Sequence, residues 1–81
     1  MPERLQNAQR ITVGSKQTLK KVLAGETAVV YLAEDADTSI TEPLQNLCAE
    51  RGIPVTFVPT MAELGRLCRI EVGAAAAAIL R

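Results

Sequence analysis

Aromatic side chains are almost missing from this chain, which has one tyrosine, one phenylalanine and no tryptophan among its 81 residues. Proteins that hold single-stranded nucleic acid without sequence preference stack successive bases on several exposed rings. The shortage of rings therefore argues against a stacking platform of that kind.

Histidine is missing altogether, and the two cysteines, Cys48 and Cys68, stand far apart within apolar helical patterns. Structural zinc sites are built from four ligands, mostly cysteine and histidine, so this chain has no credible ligand set for zinc. We predict that both cysteines are small buried side chains in a reducing cytosol rather than partners in a disulfide. No metal or other cofactor is expected.

The alanine-rich run near the end of the chain is too short to cross a membrane, and residues 1–10 contain no apolar signal-peptide core. Eighty-one residues provide one domain with one modest core. We therefore expect a single domain over residues 1–81, cytoplasmic and monomeric, with no membrane partner.

Charge is balanced overall, with nine basic and nine acidic residues, but the two signs are segregated along the chain. Residues 1–21 carry five basic groups and one acid, whereas residues 22–64 carry one basic group and seven acids. Residues 65–81 carry three basic groups and one acid. Segregation of this kind can give a neutral protein one basic face, the electrostatic feature that a nucleic-acid ligand requires.

The apolar pattern predicts short helices that alternate with buried strands. We predict helices over residues 3–9, 15–24, 41–51 and 60–68, and strands over residues 11–13, 27–33 and 53–58. Ser15 is predicted to cap the second helix, and Pro43 to lie in the first turn of the third. Thr60 and Glu63 predict a capping box at the start of the fourth.

Residues 74–80 carry conflicting signals. Five consecutive alanines favour a helix by propensity alone, whereas the alternation of elements calls for a closing strand. The alternation, together with the resemblance described below, leads us to predict a strand. The expected fold is α/β, a single-domain three-layer α/β/α sandwich with a mixed sheet of about four strands, and such folds place ligands at loop ends beside helix N-termini.

The first candidate site is the segment 14–20, GSKQTLK, at the start of the second predicted helix. Lys16 faces the positive end of the helix dipole, and Lys20 lies one turn further on, where like charges repel. Neither placement helps the fold, and the helix amides add to the positive potential, with Gly14 and Ser15 leading into it. The segment is either a grip for a polyanion, with Gln17 able to read a base edge, or a solvated basic helix face.

Two further segments are candidates. The acidic turn at residues 34–37 could bind Mg²⁺ or act in catalysis, but no nucleophile, phosphate loop or histidine accompanies it, so Glu34 and Asp37 are more simply polar turn residues or acceptors for base and sugar groups. At residues 70–72, Ile70, Glu71 and Val72 either return the chain to the core or form an apolar loop that packs against an extruded nucleobase.

Four segments together resemble the L7Ae family of ribosomal proteins, and especially its small bacterial YbxF-type branch. They are GSKQTLK at 14–20, AED at 33–35, LG at 64–65 and IEVGAAAAAI at 70–79. The resemblance covers almost the whole chain, and the order and spacing of the four segments make it more specific than any one of them.

The resemblance implies binding to kink-turns, sharply bent RNA elements that contain tandem sheared G·A pairs. In the family the helix N-terminus enters the major groove with a pattern Gly-x-Asn-Glu-x-x-Lys. Gly14 and Lys20 match that pattern, whereas Lys16 and Gln17 stand where asparagine and glutamate are usual, as in the YbxF-type branch. Asp37 corresponds to a carboxylate that often contacts the RNA.

The loop at residues 70–72 corresponds to the loop that covers the flipped-out bulge nucleotide. Arg69 stands before it, where the family commonly has glycine. An arginine there would either resist the torsions that glycine adopts or add a phosphate contact.

We therefore expect a non-catalytic RNA-binding protein of ribosomal type that stabilises kink-turn RNA, from ribosomal RNA or a messenger leader. The alternative is a protein-interaction or ribosome-assembly module without kink-turn specificity. An enzyme acting on a nucleotide or anion lacks a catalytic constellation in this sequence.

Overall fold

The computed structural model describes residues 10–81, which form one sheet with helices on both faces. Its strands are β1 (Ile11–Val13), β2 (Thr27–Ala33), β3 (Val55–Val58) and β4 (Ala76–Leu80), and its helices are α1 (Ser15–Leu23), α2 (Thr38–Arg51) and α3 (Met61–Leu67). The helix predicted over residues 3–9 lies outside the described residues. Within residues 10–81, no helix is long and apolar enough to span a membrane.

The sheet has the strand order β1-β4-β2-β3 and is mixed. The strand β4 lies antiparallel to both of its neighbours, β1 and β2, whereas β2 and β3 are parallel and joined through α2. A parallel pair needs a crossover connection of this kind because both strands start at the same end of the sheet, so the chain must travel back before the second strand begins. The predicted mixed sheet of four strands is confirmed.

Each face of the sheet buries its own apolar cluster, which gives the predicted three layers. On one face α1 and α2 cover the sheet, with the buried members Val22, Val30, Leu32, Leu44, Cys48, Ala76 and Ala78. On the other face α3 packs over a second cluster that includes Tyr31, Leu64, Leu67, Cys68, Ala77 and Ile79. Both cysteines are free and buried as predicted, and they lie on opposite faces of the sheet.

The alanine run forms strand β4, so the prediction of a strand is confirmed against the helix propensity of alanine. Ala76 and Ala78 belong to the cluster beneath α1 and α2, and Ala77 and Ile79 belong to the cluster beneath α3. A strand with partners on both sides and cover on both faces buries residues whichever way they point, and residues 76–79 are all buried. Pairing and burial therefore outweigh the intrinsic propensity of this segment.

Two helix starts differ from the predictions. The N-cap of α1 is Gly14 rather than Ser15, and no side chain caps that end. The helix α2 begins at Thr38 rather than Thr41, because Asp37 caps it and accepts a hydrogen bond from the backbone N–H of Ser39 at 2.9 Å. Pro43 is therefore inside α2 and not in its first turn.

The remaining boundaries lie close to the predictions. The strand expected over residues 53–58 begins at Val55, after Pro54. The hydroxyl of Thr60 caps α3 by accepting from the N–H of Glu63 at 3.0 Å, which confirms half of the capping box. The Glu63 carboxylate instead pairs with Arg66 at 3.2 Å.

Candidate nucleic-acid interface

All three predicted site segments lie at one end of the strands, on the border of the sheet where β1, β2 and β3 end and β4 begins. We call this the upper edge. Three backbone hydrogen bonds define it: from Gly14 to Ala76 at 2.9 Å, from Ala33 to Ala75 at 3.0 Å and from Glu34 to Val58 at 2.8 Å. Residues far apart in sequence thereby become neighbours, as the sandwich architecture requires.

Gly14 makes the sharp turn from β1 into α1. Its φ of 100° and ψ of 148° lie in a region open almost only to glycine. Its N–H bonds to β4, and its carbonyl oxygen accepts from the N–H of Thr18 at 2.9 Å. The first turn of α1 is therefore held against the sheet, with its free amides at the upper edge.

The lysines of α1 fall into two groups. Lys16 and Lys20 are exposed, and neither makes an ion pair with another residue in the described part of the chain. Lys21, by contrast, pairs with Glu26 at 3.1 Å at the other end of the helix. With no acidic residue in the first turn, Lys16 adds to the positive helix end rather than neutralising it.

Gln17 is also exposed on α1, whereas Ser15 is partly buried. Ser15 and Lys16 line a shallow, mostly apolar groove of about 210 Å³ between α1 and α2. Its other lining residues are Leu19, Ser39, Ile40, Pro43 and Leu44. Sequence reasoning missed this groove because it placed the start of α2 three residues too late, which left Ser39 and Ile40 outside the helix.

Two carboxylates of the acidic turn hold the backbone in place, and the third is exposed. Asp35 accepts a hydrogen bond from the backbone N–H of Met61 at 2.7 Å and so ties the turn to the start of α3. Asp37 caps α2, and the hydrogen bond from the Ser39 amide lowers the pKa of its carboxyl group below the ordinary value of 3.8. Glu34 is exposed at the upper edge and lines a hollow beside α2.

The loop from Ile70 to Gly73 passes directly over α3. It can do so because Gly65 has no side chain: a Cβ there would overlap the backbone carbonyl of Val72. The loop then rejoins the start of α3 through a hydrogen bond from the N–H of Ala74 to the carbonyl of Met61 at 3.0 Å. Gly65 of the Leu-Gly pair at 64–65 therefore lets this loop lie close to α3.

The sequence left two interpretations of residues 70–72: a return of the chain to the core, or an exposed apolar loop. Each interpretation holds for part of the loop. Ile70 is partly buried and packs against the cluster beneath α3. Val72 is 69% exposed, and Glu71 is exposed beside it. Ile70 therefore returns the chain to the core, whereas Val72 leaves an apolar side chain at the surface.

Arg69 takes the left-handed conformation that glycine would adopt at the end of α3. Its φ is 64°, and within residues 10–81 it is the one residue other than glycine with a positive φ. Two backbone hydrogen bonds complete a Schellman motif: the N–H of Arg69 donates to the carbonyl of Arg66 at 3.0 Å, and the N–H of Ile70 donates to the carbonyl of Gly65 at 3.1 Å. Arginine therefore does not prevent this turn from forming.

No metal-binding constellation is found in the described part of the chain, where no three or more histidine, cysteine, aspartate or glutamate side chains come together to hold an ion. The upper edge is therefore a surface of helix amides, lysines, hydrogen-bonding groups and one exposed valine. Such a surface can bind a polyanion and contact a base.

Comparison with known proteins agrees with this picture. The profile of the ribosomal protein L7Ae/L30e/S12e/Gadd45 family matches residues 2–81. The RNA-binding protein YbxF of Geobacillus stearothermophilus is 46% identical over 79 residues, covering 98% of this chain and 96% of that protein. An RNA-binding protein of Caldanaerobacter subterraneus subsp. tengcongensis is 50% identical over 66 residues, covering 82% of this chain and 80% of that protein.

Among solved structures, the Giardia lamblia 15.5kD RNA binding protein superposes with a TM-score of 0.87 at 31% identity. The match covers 99% of this chain and 68% of that one. The chain therefore belongs to the ribosomal protein L7Ae/L30e/S12e/Gadd45 family. By their names, all three of these relatives are RNA-binding proteins.

Proposed function

We propose that this protein is a non-catalytic RNA-binding protein that recognises kink-turn RNA and stabilises its bent form. The proposal is carried by the placement of three segments at the upper edge: the α1 N-terminus with Lys16 and Lys20, the turn at Glu34, and the loop that carries the exposed Val72. The names of the relatives support RNA as the ligand.

The proposed division of labour follows from the chemistry of each segment. Gly14 lets the RNA backbone come close to the start of α1, and the N–H of Ser15 donates to a phosphate oxygen. The charges of Lys16 and Lys20 neutralise phosphates and reach the acceptors of guanine in the G·A pairs. Gln17 both donates to and accepts from a base edge. A lysine reaches guanine as a point charge, so base discrimination rests more on the shape of the bent RNA than on paired hydrogen bonds.

The other two segments hold the rest of the bend. Glu34 and Asp37 accept from base amino or sugar hydroxyl groups, while Val72, with Ile70 beneath it and Glu71 at its side, covers the extruded bulge nucleotide. A protein that contacts all of these elements at once binds the bent conformer better than the open one, and so shifts the RNA toward the bend. We propose that residues 1–81 act as one such domain in the cytoplasm.

The test compares a kink-turn RNA with the same RNA in which the tandem G·A pairs are made Watson–Crick. Binding is measured by titration at fixed salt, because phosphate contacts alone depend strongly on salt. We expect the kink-turn to bind at least tenfold more tightly, and a fluorescence transfer signal between dyes on its two arms to rise as protein is added. Equal affinity for the two RNAs would contradict kink-turn recognition while leaving RNA binding intact.

A further inference from the structure

A hollow of about 410 Å³ opens beside the upper edge, on the side of α2 that faces β3. It is separate from the groove between α1 and α2. Its lining residues are Ala33, Glu34, Thr38, Thr41, Gln45 and Phe57. Its volume falls in the range of sites that hold small molecules or single nucleotide groups.

Phe57 is the aromatic residue that the core leaves outside. Its side chain is 44% exposed, whereas Tyr31, the other aromatic residue of the chain, is fully buried. Phe57 lies on the edge strand β3 opposite Leu32, so both side chains point to the face of the sheet that carries α2. The low count of rings excludes a stacking platform, but one exposed ring suffices for one base.

The rim of the hollow carries groups that match the edge of a nucleobase. Gln45 offers an amide that both donates and accepts, and Glu34 offers a carboxylate that accepts from an exocyclic amino group. Thr38 adds a hydroxyl at the start of α2. An aromatic ring beside such groups is how proteins commonly hold an unpaired base of RNA.

Charge and position favour a base that belongs to the RNA itself. Glu34 lies both in the hollow and at the upper edge, so the hollow continues the surface proposed to bind the kink-turn. Its carboxylate repels phosphate, which turns the backbone outward and the base inward. The occupant suited to this site is therefore a base displaced from a strand that is already bound nearby.

We propose that the hollow binds one unpaired nucleobase from the single-stranded RNA that flanks the kink-turn, stacked on Phe57 with its edge toward Gln45 and Glu34. This inference rests on the proposed function. It extends the bound RNA beyond the kink-turn and assigns a second base site to the side of α2 that faces β3.

The experiment measures the ratio of two affinities, that for an extended kink-turn RNA and that for the blunt one. Adenosine extensions at the 5′ and 3′ ends are tested separately, each beside an extension of abasic sugar phosphates. One of the two adenosine extensions is expected to tighten binding about tenfold, which corresponds to the free-energy contribution of one stacked base. Its abasic counterpart is expected to leave the affinity unchanged. In Phe57→Leu this ratio falls to about one.

A matched control uses another exposed apolar residue. Leu23 is 53% exposed at the end of α1 away from the upper edge, so Leu23→Ala is expected to keep the full ratio. A second readout uses Phe57→Trp, because the chain has no other tryptophan. Its fluorescence is expected to change with the favoured extended RNA and not with its abasic counterpart.

The inference is overturned if neither extension tightens binding, if abasic and adenosine extensions act equally, or if Phe57→Leu keeps the ratio. None of these results bears on the kink-turn itself, which the comparison of G·A and Watson–Crick RNAs decides. Conversely, if the protein does not prefer the kink-turn, the ratio of affinities for extended and blunt RNA can still be measured on either the G·A or the Watson–Crick RNA. Loss of all RNA binding by the unaltered protein would remove both proposals.

Discussion

Lys16 and Lys20 are the residues whose placement is hardest to explain by the fold. Lys16 faces the positive end of α1, at a cost of about 0.3–1 kcal/mol, and Lys20 repels it from the next turn. Neither makes an ion pair with another described residue. Local features that cost stability without structural gain are typical of functional sites.

Lys16→Ala and Lys20→Ala are each expected to weaken kink-turn binding by about 1–3 kcal/mol. The free energy of unfolding should stay the same or rise slightly, because a repulsive charge is removed. The control is Lys21→Ala, in the same helix but already paired with Glu26. If the three variants lose the same affinity, or if only the salt dependence becomes shallower, then Lys16 and Lys20 do not contact bases.

Arg69 stores strain at the end of α3. An L-residue with a φ of 64° costs about 1 kcal/mol relative to glycine at a left-handed helix end. Its positive charge at the C-terminal end of a helix offsets part of that cost.

Two substitutions at residue 69 separate the strain from the charge. Arg69→Gly and Arg69→Ala both remove the charge, but only glycine relieves the torsion. We expect Arg69→Gly to unfold at higher urea concentration than Arg69→Ala, with a difference of about 1 kcal/mol in the free energy of unfolding. Identical unfolding curves for the two variants would show that the backbone is not strained there.

The helix α2 depends on Asp37 at its start. The Ser39 amide donates to this carboxylate, and that hydrogen bond holds the pKa of Asp37 below 3.8. A carboxyl group whose pKa is lowered by folding stabilises the protein above its unfolded pKa, and this contribution is lost as the pH falls through its folded pKa.

Asp37→Asn keeps a side chain that can cap the helix but removes the titration. We expect the stability advantage of the unaltered protein over Asp37→Asn to shrink as the pH is lowered from 7 to below about 4. The measurement is the difference in their urea midpoints at each pH, which cancels the effects of the other carboxyl groups. A difference that does not depend on pH would mean that the charge of Asp37 contributes nothing to the cap.

The helix α3 and the loop above it meet at Gly65. Alanine is the better helix former by about 1 kcal/mol, so propensity alone predicts that Gly65→Ala stabilises the protein. The carbonyl of Val72 occupies the space that the new methyl group would need. The loop must therefore move, and we expect a net loss of about 1–3 kcal/mol in the free energy of unfolding.

The same displacement should weaken RNA binding, because the loop carries the exposed Val72. Ala49, an exposed residue of α2 near its C-terminal end, provides the control: Ala49→Gly costs only the propensity difference and leaves binding unchanged. A Gly65→Ala protein that is more stable and binds RNA normally would contradict the close approach.

At the scale of the whole molecule, the type of each described element could be predicted from the sequence. The buried runs at residues 27–33 and 76–80 and the glycines after α1 and α2 mark strands and helix ends through local physics. The start of α2 was missed because Asp37 was assigned to the acidic turn at residues 34–37, although aspartate is a preferred N-cap residue and here accepts from the N–H of Ser39.

The site was less accessible from local patterns. The charges of Lys16 and Lys20 fit a solvated face equally well, and the resemblance, rather than periodicity, joined them to residues 34–37 and 70–72. The exposure of Phe57 and the hollow beside it depend on how α2 packs over the edge strand β3. Such tertiary placement leaves no local signal, which is why the hollow was not predicted.

Binding of RNA at the upper edge by all three segments together is the central proposal. Backbone amide chemical shifts of the isotope-labelled protein, recorded with and without kink-turn RNA, test it most directly. We predict large shifts in the amides at 14–20, 34–37 and 70–72, and small ones at the opposite end, near Gly25, Gly52 and Arg81. Shifts that centre on that opposite end, or that involve only the α1 lysines, would contradict the account.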